Sequence, residues 1–308
     1  MKTIHVGRTG MMTTRMAYGC MGIAYGWEPD KVTADDRRKG RQAVIAAWEA
    51  GYRLFDHADI YCAGVCEEIF AGALKEVPGM RREILVSTKC GILFGGNPDP
   101  DSPGRYDFSA PHIVKSCELS LKRLGIETID IYHLHRPDIL MDPDEVLSAF
   151  SGLYRQGKVR AFAVSNFLPS TVTVLASRLP WPLVANQVEI HPGRLDCFVD
   201  GTLDQCLALG MSPLAWSPLG GGRYAAGEGR NEKDRNLVKV LDATAKKYSV
   251  SRGVITLAWL MRHPSGIIPI VGSANPKNIS EMAGADNVEI SREDWYRIYV
   301  AARGEDMP

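Results

Sequence analysis

The sequence predicts an α/β fold: a closed parallel (β/α)8 barrel forming one domain over residues 1–308, with an N-terminal β-hairpin and an extra C-terminal helix. Three observations carry this. Eight short apolar or β-branched runs alternate with longer stretches of helical period between residues 16 and 283. The helical stretches have recognisable start and stop residues. The first run leads into Gly19-Cys20-Met21-Gly22. It lacks the Gly-x-Gly-x-x-Gly turn expected of an open doubly wound sheet that holds a dinucleotide.

Taken in order, Thr3–Val6 and Met12–Arg15 read as the hairpin that closes the barrel bottom. The eight barrel strands are expected at Met16–Cys20, Arg53–Asp56, Ile84–Lys89, Ile129–His135, Val159–Ser165, Val184–Val188, Ser212–Trp216 and Ile267–Val271. Thr33 and Asp36 have the spacing of a capping box, and Gly51 ends the helix that they begin. Ser109 is the expected N-cap of a later helix, with Pro111 in its first turn. Ile113, Cys117, Leu121 and Leu124 give that helix one apolar face, and Gly125 stops it. Val146, Phe150, Leu153 and Tyr154 repeat the pattern before Gly157. Parallel strands need a crossover between each pair, so this alternation favours a ring of covering helices. Residues 294–302 read as the added helix.

Composition excludes several classes of function. An apolar share of 45% and a charged share of 23% suit a globular chain with a large core. Formal net charge is zero and no basic run appears, so neither nucleic acid nor an anionic membrane is an expected partner. No run approaches the roughly 18 apolar residues of a membrane span. The start of the chain lacks the apolar core of a secretory signal. The seven scattered cysteines suit free thiols in a reducing compartment. A cytoplasmic protein is expected, as a monomer or small homo-oligomer.

In an α/β barrel the chemistry sits at the C-terminal ends of the strands. There the sequence places Asp56-His57-Ala58-Asp59-Ile60-Tyr61, Lys89-Cys90, His133-Leu134-His135, Ser165-Asn166, Asn186-Gln187, Trp216-Ser217 and Gly272-Ser273. Polar groups at the ends of apolar runs are costly unless they share partners, and a common site is the economical explanation. His133-x-His135 would suit a zinc site, but the other strand ends supply no further histidine, so no metal is expected. Cys62, Cys66 and Cys90 are expected to line the pocket.

Several of these segments together resemble the aldo-keto reductases, most nearly the bacterial YdhF-type oxidoreductases. They are Gly51-Tyr52-Arg53-Leu54-Phe55-Asp56 with Tyr61, Ser120-Leu121-Lys122-Arg123-Leu124 with Asp130, and His135-Arg136-Pro137. Further on are Gly157-Lys158-Val159-Arg160 with Val164-Ser165-Asn166-Phe167, Ala215-Trp216-Ser217-Pro218-Leu219-Gly220, and residues 269–281. The resemblance implies a catalytic tetrad of Asp56, Tyr61, Lys89 and His135, reducing aldehydes or ketones with a nicotinamide cofactor. Lys89 would lower the pKa of Tyr61 so that the phenol donates a proton, Asp56 would hold the lysine charged, and His135 would orient the carbonyl.

The resemblance further implies that Ser165, Asn166 and Gln187 hold the nicotinamide carboxamide and that Trp216 stacks on its ring. Ser217, Leu219 and Gly220 would approach the pyrophosphate; Gly272, Ser273, Lys277 and Asn278 would meet the adenosine end. The family commonly has an arginine where this chain has Asn278, so NADP(H) is the favoured cofactor while NAD(H) use stays open. Tyr25 and Trp27 are expected to border the opening for a small carbonyl substrate. Two rival readings are a cofactor-holding regulatory subunit on the same barrel and a metal-dependent hydrolase.

Overall fold

The computed structural model describes all 308 residues. Thr3–His5 (β1) and Met12–Thr14 (β2) pair antiparallel as the expected hairpin. The barrel strands are Ala17–Gly19 (β3), Leu54–Asp56 (β4) and Leu85–Cys90 (β5), then Ile129–Leu134, Val159–Ser165, Ala185–Glu189, Ser212–Trp216 and Ile268–Val271 (β8 to β12). Ile92–Leu93 (β6) and Arg105–Tyr106 (β7) form a small ribbon on the loop after β5. The eight barrel strands are parallel and closed, running β3-β4-β5-β8-β9-β10-β11-β12 and back to β3. All eight anticipated strands are present, with ends within two residues of the expected ones.

The helices are Ala34–Glu49 (α1), Val65–Glu76 (α2), Met80–Glu83 (α3), Ala110–Leu124 (α4), Pro143–Arg155 (α5) and Pro169–Ala176 (α6). They continue with Thr202–Leu209 (α7), Arg223–Ala226 (α8), Glu232–Lys247 (α9), Arg252–Met261 (α10), Pro276–Ala283 (α11) and Arg292–Arg303 (α12). The capping box at α1 forms in both directions: Asp36 N–H donates to Thr33 Oγ1, and Thr33 N–H donates to the Asp36 carboxylate. Ser109 stands at the N-cap of α4, yet its side chain makes no capping bond. Instead the Glu145 carboxylate, from α5, accepts from Ala110 N–H at 2.9 Å. The second helical position is Pro111, which has no N–H to offer the cap.

Side chains alternate across a strand, and this alternation builds the site. Leu54, Leu85, Ile131, Ala161, Leu214 and Ile268 share the apolar cluster inside the barrel, plugged from below by Val6 and Met11 next to the hairpin. Two residues further along β4, β5 and β8, on the same face, stand Asp56, Ser87 and His133. Two more bring Lys89 and His135. The intervening residues Phe55, Val86, Tyr132 and Phe162 belong to the larger cluster between sheet and helices. The barrel is therefore an apolar plug at its base capped by a polar layer at its mouth.

The turn after β4 is strained. Cys62 (φ 48) and Ala63 (φ 49) are successive non-glycine residues in the left-handed region, directly after Tyr61. Such a conformation costs about 1–2 kcal/mol per residue. Ala63 is exposed, so Ala63→Gly should relieve strain without loss of packing. The added freedom of the unfolded chain offsets part of the gain, and a net stabilisation of about 0.5–1 kcal/mol is expected in urea unfolding. A destabilised variant would contradict this.

Candidate active site

Lys89 is fully buried, and its ammonium uses all three donors. It donates to Asp56 Oδ2 (2.7 Å), to the carbonyl oxygen of His57 (2.7 Å) and to Tyr61 Oη (3.2 Å). Asp56 Oδ1 accepts from Ser87 Oγ at 2.9 Å and from Gln187 Nε2 at 2.8 Å. Burial opposes the charge on Asp56, but Lys89, with help from Gln187, outweighs it and holds the carboxyl below its ordinary range. Burial likewise opposes the charge on Lys89, and Asp56 and Tyr61 more than restore it. The pair is ionised.

Tyr61 departs from expectation. Burial, the largest influence, pushes its phenol above the ordinary tyrosine value, and the nearby Lys89 only partly offsets this. The expected unusually acidic phenol is absent: desolvation of a phenolate outweighs one cation already paired with Asp56. The phenol keeps its proton at neutral pH.

His135 meets Tyr61 edge to face, ring centroids 6.1 Å apart. Burial, then the charge of Lys89, pulls its pKa down to about 2, so the imidazole is neutral. Its Nδ1 is buried without a partner. A bare lone pair there costs less than an unpaired N–H, which puts the proton on Nε2. His133 is packed within the barrel, with Ser87 Oγ 3.3 Å from Nε2 and the Val164 carbonyl 3.4 Å from Nδ1. Burial takes its pKa to about 4. No three His, Cys, Asp or Glu side chains converge where a metal ion would sit. Cys62, Cys66 and Cys90 are core residues rather than pocket lining, and burial raises all three thiols, that of Cys66 to about 12.

Ser165, Asn166, Gln187 and Trp216 are knitted together and to the tetrad. Ser165 Oγ donates to the Gln187 carbonyl (2.9 Å) and accepts from Asn166 Nδ2 (2.9 Å), which also reaches the His135 carbonyl at 3.3 Å. Asn166 Oδ1 accepts from Trp216 Nε1 at 2.9 Å. The expected free carboxamide ligands are thus largely engaged by the protein, with Gln187 Nε2 committed to Asp56. Asn166 and Ser217 both have left-handed backbones, φ 61 and 48, which turn the chain sharply off β9 and β11.

Gly220, Gly221 and Gly222 all have positive φ, and the Ser217 carbonyl accepts from Gly220 N–H at 2.7 Å, with Leu219 half-buried beside the turn. Gly272 is exposed, with open space where a Cβ would stand. Ser273 Oγ accepts from Asn275 N–H, and Lys277 and Asn278 are exposed in the first turn of α11. Trp27 is 54% exposed and stands edge-on to Tyr61 at 6.3 Å, at the edge of the mouth. Tyr25 is also exposed.

Sequence reasoning missed Ser87, although its position two residues before Lys89 on one strand was a usable signal, and missed Arg136. The Arg136 guanidinium lies over the Trp216 ring, 5.5 Å from its centroid. The aldo/keto reductase family matches residues 15–302. The chain belongs to the aldo/keto reductase family. Relatives of this aldo/keto reductase include a 6-dehydroglucose reductase of Novosphingobium aromaticivorans, 40% identical over 98% of this chain and 96% of that one. The oxidoreductase YdhF of Escherichia coli is also 40% identical, over 84% and 86%. The fold is shared with a glycerol dehydrogenase from Gluconobacter oxydans (TM-score 0.85, 23% identity, 99% and 97% covered). It is shared too with a thermostable aldo-keto reductase solved with an inhibitor (TM-score 0.84, 24% identity, 98% and 100% covered). No helix is long and apolar enough to cross a membrane.

Proposed function

We propose that this aldo/keto reductase reduces aldehydes or ketones to alcohols in the cytoplasm, with Tyr61 as proton donor and NADP(H) as the favoured cofactor. The observation that carries the reading is the Lys89 ammonium bonded at once to Asp56 and Tyr61, with His135 facing the same phenol. When bound, a reduced nicotinamide supplies the hydride. The residues present fit such a group: Trp216 offers a ring for stacking, and Gly221 and Gly222 have open space where a side chain would stand, which leaves their backbone free for close approach. Lys277 supplies a cation at the N-terminus of α11, where phosphate is favoured. The names of two relatives describe reduction of 6-dehydroglucose, which supports the reductive direction.

Each side chain then has one task. His135 Nε2–H donates to the carbonyl oxygen and fixes it near Tyr61. As negative charge develops on that oxygen, the phenol gives up its proton and Lys89 stabilises the phenolate left behind. Asp56 keeps Lys89 charged and fixes its direction. Lys89 partly offsets the burial that raises the phenol, and so favours release of the proton when the charge appears.

The test is to follow NADPH and NADH absorbance with 4-nitrobenzaldehyde across pH. Oxidation of at least one cofactor is expected. Reductive kcat/KM should show no inflection from His135 between pH 5 and 8, because that imidazole is neutral throughout, its pKa about 2. It should fall only in alkali, above the ordinary phenol value of about 10, where Tyr61 loses its proton. An inflection near pH 6.5 that disappears in His135→Gln would show that the imidazole is charged and the assignment wrong.

A further inference from the structure

One charge beside this site has no counter-ion. Arg136 directly follows His135, is half-buried, and makes neither an ion pair nor a hydrogen bond within the protein. The nearest carboxylate in sequence, Asp138, is taken: Oδ2 accepts from Phe108 N–H at 3.0 Å and Oδ1 from Leu140 N–H at 2.9 Å. The guanidinium is held over the Trp216 ring, and the indole is itself held through Nε1 by Asn166. A guanidinium that makes no hydrogen bond within the protein keeps its N–H groups for another partner, and its planar fork matches a carboxylate. The charge is felt in the pocket, for Arg136 is among the groups that depress the His135 imidazole. The other cation there, Lys89, has spent all three donors.

We infer that Arg136 selects substrates, so that the preferred carbonyl compounds carry a carboxylate which the Arg136 guanidinium binds while His135 and Tyr61 engage the carbonyl. The inference rests on the reductase reading and adds to it a substrate class. Orientation by Trp216 removes part of the ordering cost that a free arginine side chain would bear on binding. A neutral substrate would leave the guanidinium with water alone.

The test compares 4-carboxybenzaldehyde with methyl 4-formylbenzoate, which have the same ring and aldehyde and differ in charge. The neutral ester has the more electrophilic carbonyl, so a preference for the acid would have to come from the protein. A charge-assisted bond of ordinary strength corresponds to about tenfold or more in kcat/KM, and that ratio of acid over ester is expected, carried mainly by KM. In Arg136→Gln the ratio should fall to about unity, with Arg136→Lys between the two. A purely structural role for Arg136, steadying Trp216, would lower both aldehydes equally and leave the ratio unchanged, and that result overturns the inference. So does equal efficiency on both aldehydes in the unaltered enzyme. Turnover of neither aldehyde with either cofactor removes the reductase reading and takes this inference with it.

Discussion

Tyr61→Phe should lower reductive kcat/KM by about two orders of magnitude or more, the usual contribution of a general acid, while the fold stays intact. Only the hydroxyl is lost. The ring keeps its edge contacts with Trp27 and His135 and remains 5.0 Å from the Lys89 ammonium. Lys89 gives up its longest bond, 3.2 Å, and retains those to Asp56 and the His57 carbonyl at 2.7 Å. The thermal midpoint should therefore move little, and cofactor affinity, read by quenching of tryptophan fluorescence, should stay within about twofold, because the hydroxyl contributes mainly in the transition state. Turnover equal to that of the unaltered enzyme would remove Tyr61 as the proton donor.

Lys89→Met should damage both activity and stability. The side chain fits the same slot, but the Asp56 carboxylate is left buried with only Ser87 Oγ and Gln187 Nε2 as donors. Removing one partner of a buried ion pair costs about 3–5 kcal/mol. In the unaltered protein the Asp56 carboxyl lies below its ordinary value, so its contribution to stability is present above about pH 4 and is lost as pH falls through the folded pKa. Without Lys89, burial dominates and the folded pKa rises above the unfolded one. The sign then reverses: the Asp56 contribution is present in acid and is lost as pH rises through the new value.

The variant should thus gain more stability on mild acidification than the unaltered protein, in which only Asp59, raised by burial to about 7, acts in that direction among the acids of the site. Asp56→Asn combined with Lys89→Met should recover much of the lost stability, since neither partner is then a stranded charge. It should recover no activity, because nothing remains to stabilise the Tyr61 phenolate. Urea unfolding from pH 5 to 8 measures both, and a double variant no more stable than the single one would show that the ion pair is not the source of the loss.

The amino-acid order alone determined the barrel and the members of the polar layer at its mouth. Eight runs spaced by helical segments dictate a ring of parallel strands, and a period of two along each strand puts Asp56, Lys89 and His135 on the inward face with no long-range information needed. Local caps were legible for the same reason where both partners lie within three residues, as at Thr33 and Asp36.

What only the tertiary structure decided was the balance of competing influences at each group. Ser109 has the chemistry of a cap but makes no capping bond, while the adjacent Ala110 N–H finds Glu145, 35 residues further along the chain. The acidity of Tyr61 depends on how completely it is desolvated against how much of the Lys89 charge is left over, and both are sums over neighbours from different strands. Gln187 turns its amide to Asp56, 131 residues away, and Arg136 lies on Trp216 from a separate strand end. Chemical identity and spacing along a strand belong to the sequence; the effective charge of a group, and which partner occupies it, belong to the packing that brings distant strand ends together.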